Sequence, residues 1–414
     1  MKRRVVITGM GVLTPIGNSV DEMWENLNAG KCGIDKITLF DASSMKVQIA
    51  GEVKNLNPDA YLEPREYRKI DRTMLFGLIA AAQAYKDAGL DNVEFDRDRF
   101  GTFVTSGIGG ISTIKEEAIK AYEKGGDRVS PFFIPHSIIN LVGGVIAIKF
   151  NAKGPNIPVV TACSAGTNAI GEAFRYIRDG YLEIAFAGGS EAPINELSIG
   201  GFASMRALNT SNDPTRASIP FDKFRSGFVV SEGSGVVIIE EYEHAKKRGA
   251  KIYCEVIGYG STCDAFHITA PDESADGIKK AITTALKDAK IAPEKIDYIN
   301  PHGTSTPYND RLETLGIKKA LGNHAYNVNI SASKSMTGHA LGAIGAIEAI
   351  ITAKTLEEGI VTPTINLRNY DEDCDLNYTV DNPVKRDVRY ALSNSVGFGG
   401  QNSTLIFKKY EEGN

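Results

Sequence analysis

The chain has 414 residues, of which 42% are hydrophobic, and its formal net charge is −5. This length can supply two or three domain-sized units with a large core, and the slight acidity excludes a global basic field for nucleic acid. No apolar run reaches the roughly 18 residues of a membrane-spanning helix, so no membrane insertion is expected. The five cysteines are an odd number without a C-x-x-C pair, which predicts reduced thiols in the cytoplasm.

The first part of the chain alternates strands and helices. The predicted strands are Val5–Thr8, Phe100–Thr105, Ile157–Thr161, Ile184–Ala187 and Ser234–Glu240, and the predicted helices are Val20–Ala29, Met74–Ala88 and Ala165–Arg178. Gly9-Met10-Gly11 after the first strand suggests a dinucleotide-binding turn. That interpretation is rejected, because the third glycine is misplaced and Pro15 interrupts the pattern.

The second part of the chain repeats this order. The predicted strands are Ile252–Tyr259, Ile296–Asn300, Val328–Ser331, Tyr390–Asn394 and Ser403–Phe407, and the predicted helices are Ala275–Lys287, Asp310–Ala320 and Leu341–Leu356. The segments around Cys163 and His339 both read as strand, small-residue turn and small-residue helix. We therefore predict a mostly parallel, two-sided α/β sheet made by internal duplication, with halves at residues 1–250 and 251–414.

Cys163 lies between a predicted strand and a predicted helix, in Thr-Ala-Cys-Ser-Ala-Gly. Exposed N–H groups and the positive end of the helix dipole favour a thiolate at such a place, which would suit a nucleophile. A small buried core cysteine is the alternative, and the local sequence does not separate the two. The other four cysteines lack this setting and are predicted to be structural.

His302 and His339 each follow an apolar run and are flanked by glycine and hydroxyl residues. A neutral imidazole donates one hydrogen bond and can stabilise a developing oxyanion or enolate. Structural histidines are the alternative. A metal site is not predicted, because no pair of histidines at i, i+4 and no clear third ligand accompanies them.

Lys334 precedes His339, and Glu348 lies on the helix after it. A lysine buried there would need such an acidic partner. The run Gly397-Phe398-Gly399-Gly400 offers backbone N–H groups for an oxyanion hole, a role that a β-hairpin turn also permits.

Taken together, these motifs resemble the β-ketoacyl-acyl carrier protein synthases, the condensing enzymes of fatty-acid synthesis. The resemblance covers essentially the whole chain and is closest to the elongating type II branch. It is carried by Thr-Ala-Cys-Ser-Ala-Gly, Ser-Glu-Gly-Ser-Gly-Val-Val, Asp-Ala-Phe-His-Ile-Thr-Ala-Pro, His-Gly-Thr-Ser-Thr-Pro, Lys-Ser-Met-Thr-Gly-His and Gly-Phe-Gly-Gly. Each motif is weak alone, and the set is specific.

The resemblance implies a thiolase-like fold of two duplicated βαβαβαββ halves in a five-layered αβαβα core, and a homodimer. It implies that Cys163 takes an acyl chain from acyl carrier protein and that His302 and His339 polarise the malonyl thioester as carbon dioxide leaves. The backbone N–H groups of Cys163 and Phe398 would hold the oxyanion, with Phe398 also a gate. Lys334 would orient the site with Glu348 as its partner. Supporting positions from the same motifs are Thr304, Thr306 and Gly399.

Acyl carrier protein, loaded with acyl or malonyl groups, is the partner that the resemblance implies. It brings its own phosphopantetheine arm, so no further cofactor and no metal are expected. Candidate docking residues are Arg65, Arg68, Lys69 and Arg206, for which a solvated basic face is the alternative. The apolar stretch Phe132–Val145 is a candidate wall for an acyl tunnel near the dimer interface.

Two other functions compete with fatty-acid elongation. A ketosynthase of a polyketide or specialised lipid pathway shares the Cys-His-His set, so it stays open. A non-catalytic subunit that sets chain length is disfavoured, because Cys163 and both histidines are present.

Overall fold

The computed structural model describes residues 2–412. Its strands are β1 (Val5–Leu13), β2 (Ile34–Lys36), β3 (Ile49–Gly51), β4 (Phe100–Thr105), β5 (Ile184–Glu191), β6 (Gly233–Glu241), β7 (Cys254–Cys263), β8 (Tyr298–Asn300), β9 (Asn329–Ile330), β10 (Ile360–Val361), β11 (Val384–Lys385), β12 (Tyr390–Gly397) and β13 (Gln401–Lys409). Its α-helices are α1 (Val20–Asn28), α2 (Pro64–Tyr67), α3 (Arg72–Asp87), α4 (Ile111–Lys124), α5 (Phe133–Ser137), α6 (Asn140–Phe150), α7 (Ala165–Arg178), α8 (Glu196–Ser204), α9 (Tyr242–Lys247), α10 (Asp276–Ala289), α11 (Pro307–Leu321), α12 (Lys334–Thr337) and α13 (Ile344–Glu358).

Nine strands form the main sheet, in the order β4-β5-β6-β1-β7-β13-β12-β8-β9. The pairs β4–β5, β12–β8 and β8–β9 are parallel, and the other five are antiparallel. The prediction of a mostly parallel sheet is therefore wrong. The error has a physical cause. Helices cover both faces of the sheet, and a strand buried on both faces has an apolar sequence whether its neighbours are parallel or antiparallel.

The helices complete a stack of five layers. Helices α3 and α6 cover the outer face of the strands before β7, and α10 covers the outer face of the later strands. Helix α11 packs against α10 and shares an apolar cluster with β8, β12 and β13. Helices α7 and α13 lie side by side between the two groups of strands, and their small residues let them pack closely. The α/β architecture with five layers agrees with the predicted one.

The strand order reads nearly the same from either end. The series β4-β5-β6-β1 is matched by β8-β12-β13-β7, with the same pattern of parallel and antiparallel pairs. A Cβ atom at Gly11 of β1 would lie 2.0 Å from the Ala80 carbonyl oxygen, and one at Gly260 of β7 would lie 2.1 Å from that of Ala281. Both contacts seat an outer helix on its strand. The matching strand orders and glycine contacts favour the predicted duplication. The boundary between the halves at residue 250 stays a prediction.

One predicted strand is wrong. Residues 157–161 belong to no strand: the neighbouring Asn156 makes a single bridge to Thr102, and the Ile157 N–H donates to the Thr102 carbonyl at 2.9 Å. The predicted helix Ala165–Arg178 is present with those bounds. The predicted helix Leu341–Leu356 begins as a 3₁₀ turn, Leu341–Ala343, and continues as α13.

Candidate active site

Cys163 lies in a 3₁₀ turn, Ala162–Ser164, that leads directly into α7. Ala162 has φ 51°, a left-handed conformation that makes the sharp bend and turns Cys163 toward a cavity of about 350 Å³. The same cavity is lined by His302, His339 and Phe398. The fold thus brings together four predicted site residues from four segments that are separate in the sequence.

Burial dominates the electrostatics of the thiol. It raises the pKa of Cys163 to about 12, and the nearby Glu191 carboxylate adds to the rise. The charge of Lys334 and hydrogen bonds from the backbone N–H groups of Phe398 and Cys163 lower the pKa, but by less. In this geometry desolvation outweighs the helix terminus and favours the neutral thiol, opposite to the effect expected from the sequence.

The turn at residues 398–400 joins β12 to β13 and carries Phe398 to the nucleophile. A Cβ atom at Gly397 would lie 2.7 Å from the Thr161 carbonyl oxygen and 3.3 Å from the Cys163 nitrogen, so only glycine permits this approach. Gly399 has φ 83° and donates its N–H to the Ile268 carbonyl at 2.8 Å. It lies at the exposed tip, outside the cavity wall.

His302 follows β8 in a loop held by a buried carboxylate. The N–H groups of His302 and Gly303 donate to the two oxygens of Glu313 at 2.7 and 2.8 Å. Asn394 also donates to Glu313, at 2.8 Å. The loop is thereby fixed through its backbone, which leaves the imidazole in the cavity wall.

His339 is held by backbone bonds to the segment before β6. Its N–H donates to the Val229 carbonyl at 2.8 Å, and its carbonyl accepts from Ser231 at 3.0 Å. Its ring lies 5.2 Å from the His302 ring, nearly perpendicular to it, and 5.2 Å from Phe228. The two imidazoles therefore face one small volume.

Both imidazoles are neutral near neutral pH. Burial, followed by the charge of Lys334, holds the pKa of His302 and of His339 well below 6.5. Neutral rings can donate hydrogen bonds to an oxyanion without adding a further buried charge. Within residues 2–412 no group of three or more His, Cys, Asp or Glu side chains is placed to hold a metal; the prediction of no metal stays a prediction.

Lys334 and Glu348 form a buried ion pair behind the histidines. The Lys334 Nζ lies 2.5 Å from a Glu348 oxygen, which also accepts from Ser333 at 3.3 Å. Burial raises the pKa of Glu348 to about 7, against the opposing effect of the lysine. The predicted pairing of Lys334 with Glu348 is present, and it fixes a cation whose charge acts on both histidines and on the thiol.

Thr304 and Thr306 line the cavity beside His302, with their hydroxyl oxygens 3.1 Å apart. Thr306 also caps α11 by accepting the Asn309 N–H at 3.3 Å. Both residues thus contribute a hydroxyl-bearing side chain to the cavity wall.

The four predicted docking residues are not brought together at the cavity. Arg206 is exposed and belongs to the cavity wall. Arg65, Arg68 and Lys69 are exposed on or just after α2, and none of them lines the cavity. The predicted tunnel stretch Phe132–Val145 does not line the cavity either, and it includes exposed apolar side chains.

Two buried carboxylates at this site escaped the sequence reasoning. Glu313 holds the His302 loop, and Glu191 accepts four hydrogen bonds beside the nucleophile. An acid at the end of an apolar strand was the available signal for Glu191, and an acid on the apolar face of α11 was the signal for Glu313. Neither sequence feature predicts which loop the carboxylate binds.

Among residues 2–412, no helix combines the length and the apolar character that crossing a bilayer requires.

Comparison with known proteins gives consistent matches over nearly the whole chain. The model of the beta-ketoacyl synthase N-terminal domain matches residues 2–245, and that of the C-terminal domain matches residues 253–368. Proteins named 3-oxoacyl-[acyl-carrier-protein] synthase 2 from Synechocystis sp. and Coxiella burnetii are 51% and 48% identical, each over 99% of both chains. A type II polyketide ketosynthase solved in complex with its acyl-carrier protein is 36% identical, with a TM-score of 0.92 over 99% of this chain and 100% of that one. A beta-ketoacyl synthase from Burkholderia phymatum is 33% identical, with the same TM-score and coverage. The predicted fold class is confirmed.

Proposed function

The chain belongs to the beta-ketoacyl synthase family, and from that premise we propose that it elongates acyl chains by decarboxylative Claisen condensation in fatty-acid synthesis. The observation that carries the proposal is one cavity that joins a cysteine, two neutral imidazoles and two backbone N–H donors. The product is a β-ketoacyl-acyl carrier protein two carbons longer than the starting acyl chain.

Acyl transfer to Cys163 comes first. The sulfur attacks the carbonyl carbon of an acyl-carrier protein thioester, and the N–H groups of Cys163 and Phe398 stabilise the oxyanion that forms. The bond to the carrier sulfur then breaks, and the thiol proton of Cys163 ends on that sulfur. Both N–H groups act on the Cys163 sulfur and lower the pKa of its thiol, which supports this role.

Condensation follows when malonyl-carrier protein enters. Its carboxylate leaves as carbon dioxide, and the resulting enolate oxygen accepts hydrogen bonds from His302 and His339. The enolate carbon attacks the acyl carbonyl on Cys163; the sulfur leaves as thiolate and takes one proton from the medium. Decarboxylation supplies the carbanion, so the site needs donors and no strong base.

Lys334 is proposed to orient this site, with Glu348 holding it in place. Its charge adds to burial in lowering the pKa of both imidazoles. Phe398 is proposed to gate access to the sulfur, because its half-buried ring lies in the cavity wall at the hairpin. Thr304, Thr306 and Gly399 are proposed to support the entering thioester and the hairpin.

The partner is proposed to be acyl carrier protein, which brings the pantetheine arm, so the enzyme itself needs no cofactor or metal. Arg206 at the cavity, with Arg65, Arg68 and Lys69 elsewhere on the surface, is proposed to attract this acidic protein. The enzyme is proposed to work as a cytoplasmic homodimer. The exposed apolar side chains of α5 and α6 support the dimer, since such a surface is usually covered.

A ketosynthase of a polyketide or specialised lipid pathway is the second candidate. It is favoured by the likeness to a polyketide ketosynthase structure at 36% identity. Fatty-acid elongation remains the stronger proposal, because the 3-oxoacyl synthase relatives reach 51% identity over 99% of both chains.

Intact-protein mass spectrometry tests the proposal. The protein is incubated with a medium-chain acyl-carrier protein, beside a Cys163→Ala control, and malonyl-carrier protein is then added. We expect one acyl group on the unmodified enzyme only, which malonyl-carrier protein removes as a longer β-ketoacyl product. Absence of the adduct on folded protein would contradict the proposal, and preference for repeated β-keto extension would favour the polyketide alternative.

A further inference from the structure

Glu191 ends β5 as a fully buried carboxylate. One of its oxygens accepts from the Ser106 hydroxyl at 2.5 Å and the Ile108 N–H at 3.1 Å. The other accepts from the N–H groups of Gly107 at 2.7 Å and Gly342 at 2.9 Å. Burial raises the pKa of Glu191, and each of these four hydrogen bonds lowers it. Three of the four partners are backbone N–H groups, which only donate, so both carboxyl oxygens of Glu191 act as acceptors here.

The Gly342 N–H belongs to a second turn that matches the one bearing the nucleophile. Leu341–Ala343 is a 3₁₀ turn that leads directly into α13, as Ala162–Ser164 leads into α7. The first residues of the two turns have φ 44° and 51°. Cys163 and Gly342 are the second residues, so they occupy corresponding places.

The strands beside the two turns also correspond. The end of β12 lies against the first turn, and the end of β5 lies against the second. A Cβ atom at Gly189 of β5 would lie 2.4 Å from the Gly342 carbonyl oxygen, just as one at Gly397 of β12 would lie 2.7 Å from that of Thr161. In the first turn the Cys163 N–H is a proposed oxyanion donor. In the second, the corresponding N–H binds the Glu191 carboxylate.

We propose that Glu191 is a positioning residue whose carboxylate fills the anion hole of the second turn and thereby holds two segments of the active site. One is the loop carrying Ile108, which packs in the same apolar cluster as Cys163. The other is the segment from His339 to Gly342, which is tied by the Gly342 N–H. The effect on turnover rests on the proposed function, whereas the anion hole does not.

The test removes the Glu191 carboxylate by mutation and supplies acetate from solution in its place. Glu191→Ala removes Cγ, Cδ and both oxygens, which are the heavy atoms of acetate. We expect turnover to fall about 100-fold, because a displacement near 1 Å in an active site has that cost. We also expect the pH midpoint for alkylation of Cys163, followed by peptide mass spectrometry, to fall, because the Glu191 charge raises the pKa of that thiol. Acetate should restore turnover and move the midpoint back up, and acetamide should do neither.

Glu52 provides the matched control. Its carboxylate accepts from two successive backbone N–H groups and one hydroxyl, at 2.7, 3.1 and 2.6 Å, but, unlike Glu191, it is not among the charges that raise the pKa of Cys163. Glu52→Ala should leave the alkylation midpoint unchanged, with no effect of acetate on it. Recovery with acetamide as full as with acetate, or an unchanged midpoint and turnover in Glu191→Ala, would overturn the proposal.

Two further measurements decide the matter if Glu191→Ala does not fold. Glu191→Gln keeps the volume but sets an amide donor against backbone donors, so the same losses are expected. Hydrogen exchange on the unmodified protein needs no variant: the amides of Gly107, Ile108 and Gly342 should be protected despite their place in loops, and rapid exchange would overturn the proposal. If the unmodified enzyme fails to condense, the proposed function fails, while midpoints and exchange still report on Glu191.

Discussion

At the scale of single residues, the site depends on charges kept out of water. Lys334 is a buried cation whose charge shifts the pKa of the Cys163 thiol and of both imidazoles. A Glu348 carboxylate oxygen lies 2.5 Å from its Nζ and balances this charge. Removing one partner of such a pair leaves an uncompensated buried charge, which costs about 3–5 kcal/mol. The pair thus links stability to the protonation states that the chemistry requires.

The buried histidines should make stability depend on pH. His302 and His339 have pKa values well below 6.5 in the folded protein, so below that pH the unfolded chain binds more protons than the folded one. Their contribution is present in full above pH 6.5 and is lost as the pH falls toward the folded values. Each histidine can add a slope of up to about 1.4 kcal/mol per pH unit.

Urea unfolding between about pH 7 and about pH 5 measures this slope. The variant with His302→Gln and His339→Gln should lose much of it, while His267→Gln, at an exposed histidine, should keep it. Equal slopes in the double variant and the unmodified protein would show that the histidines do not carry the effect.

At the scale of elements, the hairpin of β12 and β13 decides where the oxyanion donor lies. Its approach to the nucleophile turn depends on the missing side chain of Gly397. Gly399 and Gly400 both have positive φ, at 83° and 75°, which allows the turn at 398–400 to reverse the chain within three residues.

Gly397→Ala should therefore impair acyl transfer while the protein stays folded. The new methyl group would push the hairpin from the Thr161 carbonyl, and the Phe398 N–H would move with it. We expect the rate of Cys163 acylation to fall by roughly 100-fold, as for loss of one oxyanion donor. Gly201→Ala on α8 is the control, since no atom lies within 4 Å of its added Cβ. Normal acylation in Gly397→Ala would remove the hairpin from the mechanism.

At the scale of the whole molecule, apolar side chains lie exposed on and around α5 and α6. They include Phe132, Ile134, Ile138 and Ile148, which are 51%, 59%, 42% and 80% exposed. A patch of this kind marks a protein interface more often than open surface. It favours the proposed homodimer.

Ile148→Glu should weaken that dimer, because a carboxylate in an apolar interface loses its hydration without gaining a partner. Sedimentation velocity should show a shift toward the monomer. Ile268→Glu is the matched control, since Ile268 is 77% exposed beside the active-site hairpin, and this variant should sediment like the unmodified protein. An unchanged sedimentation coefficient for Ile148→Glu would place the interface elsewhere.

The sequence by itself determined the elements with strong periodicity and the motifs that carry chemistry. Helix Ala165–Arg178 was predictable to the residue, and so was strand Phe100–Thr105, because apolar spacing and flanking glycines act locally. Cys163, His302, His339 and Lys334 were recognisable because they stand in three short local motifs, of which Lys334 and His339 share one.

Only the tertiary structure decided the directions of the strands, the protonation state of the thiol and the roles of the buried acids. The direction of a strand relative to its neighbours depends on how distant segments pair. The apolar pattern does not reveal this direction, because the strands are buried on both faces. The pKa of Cys163 depends on desolvation by segments far away in the chain, which outweighs the local helix end. Glu191 and Glu313 hold loops 84 and 11 residues away, and such pairings arise only once the layers are stacked.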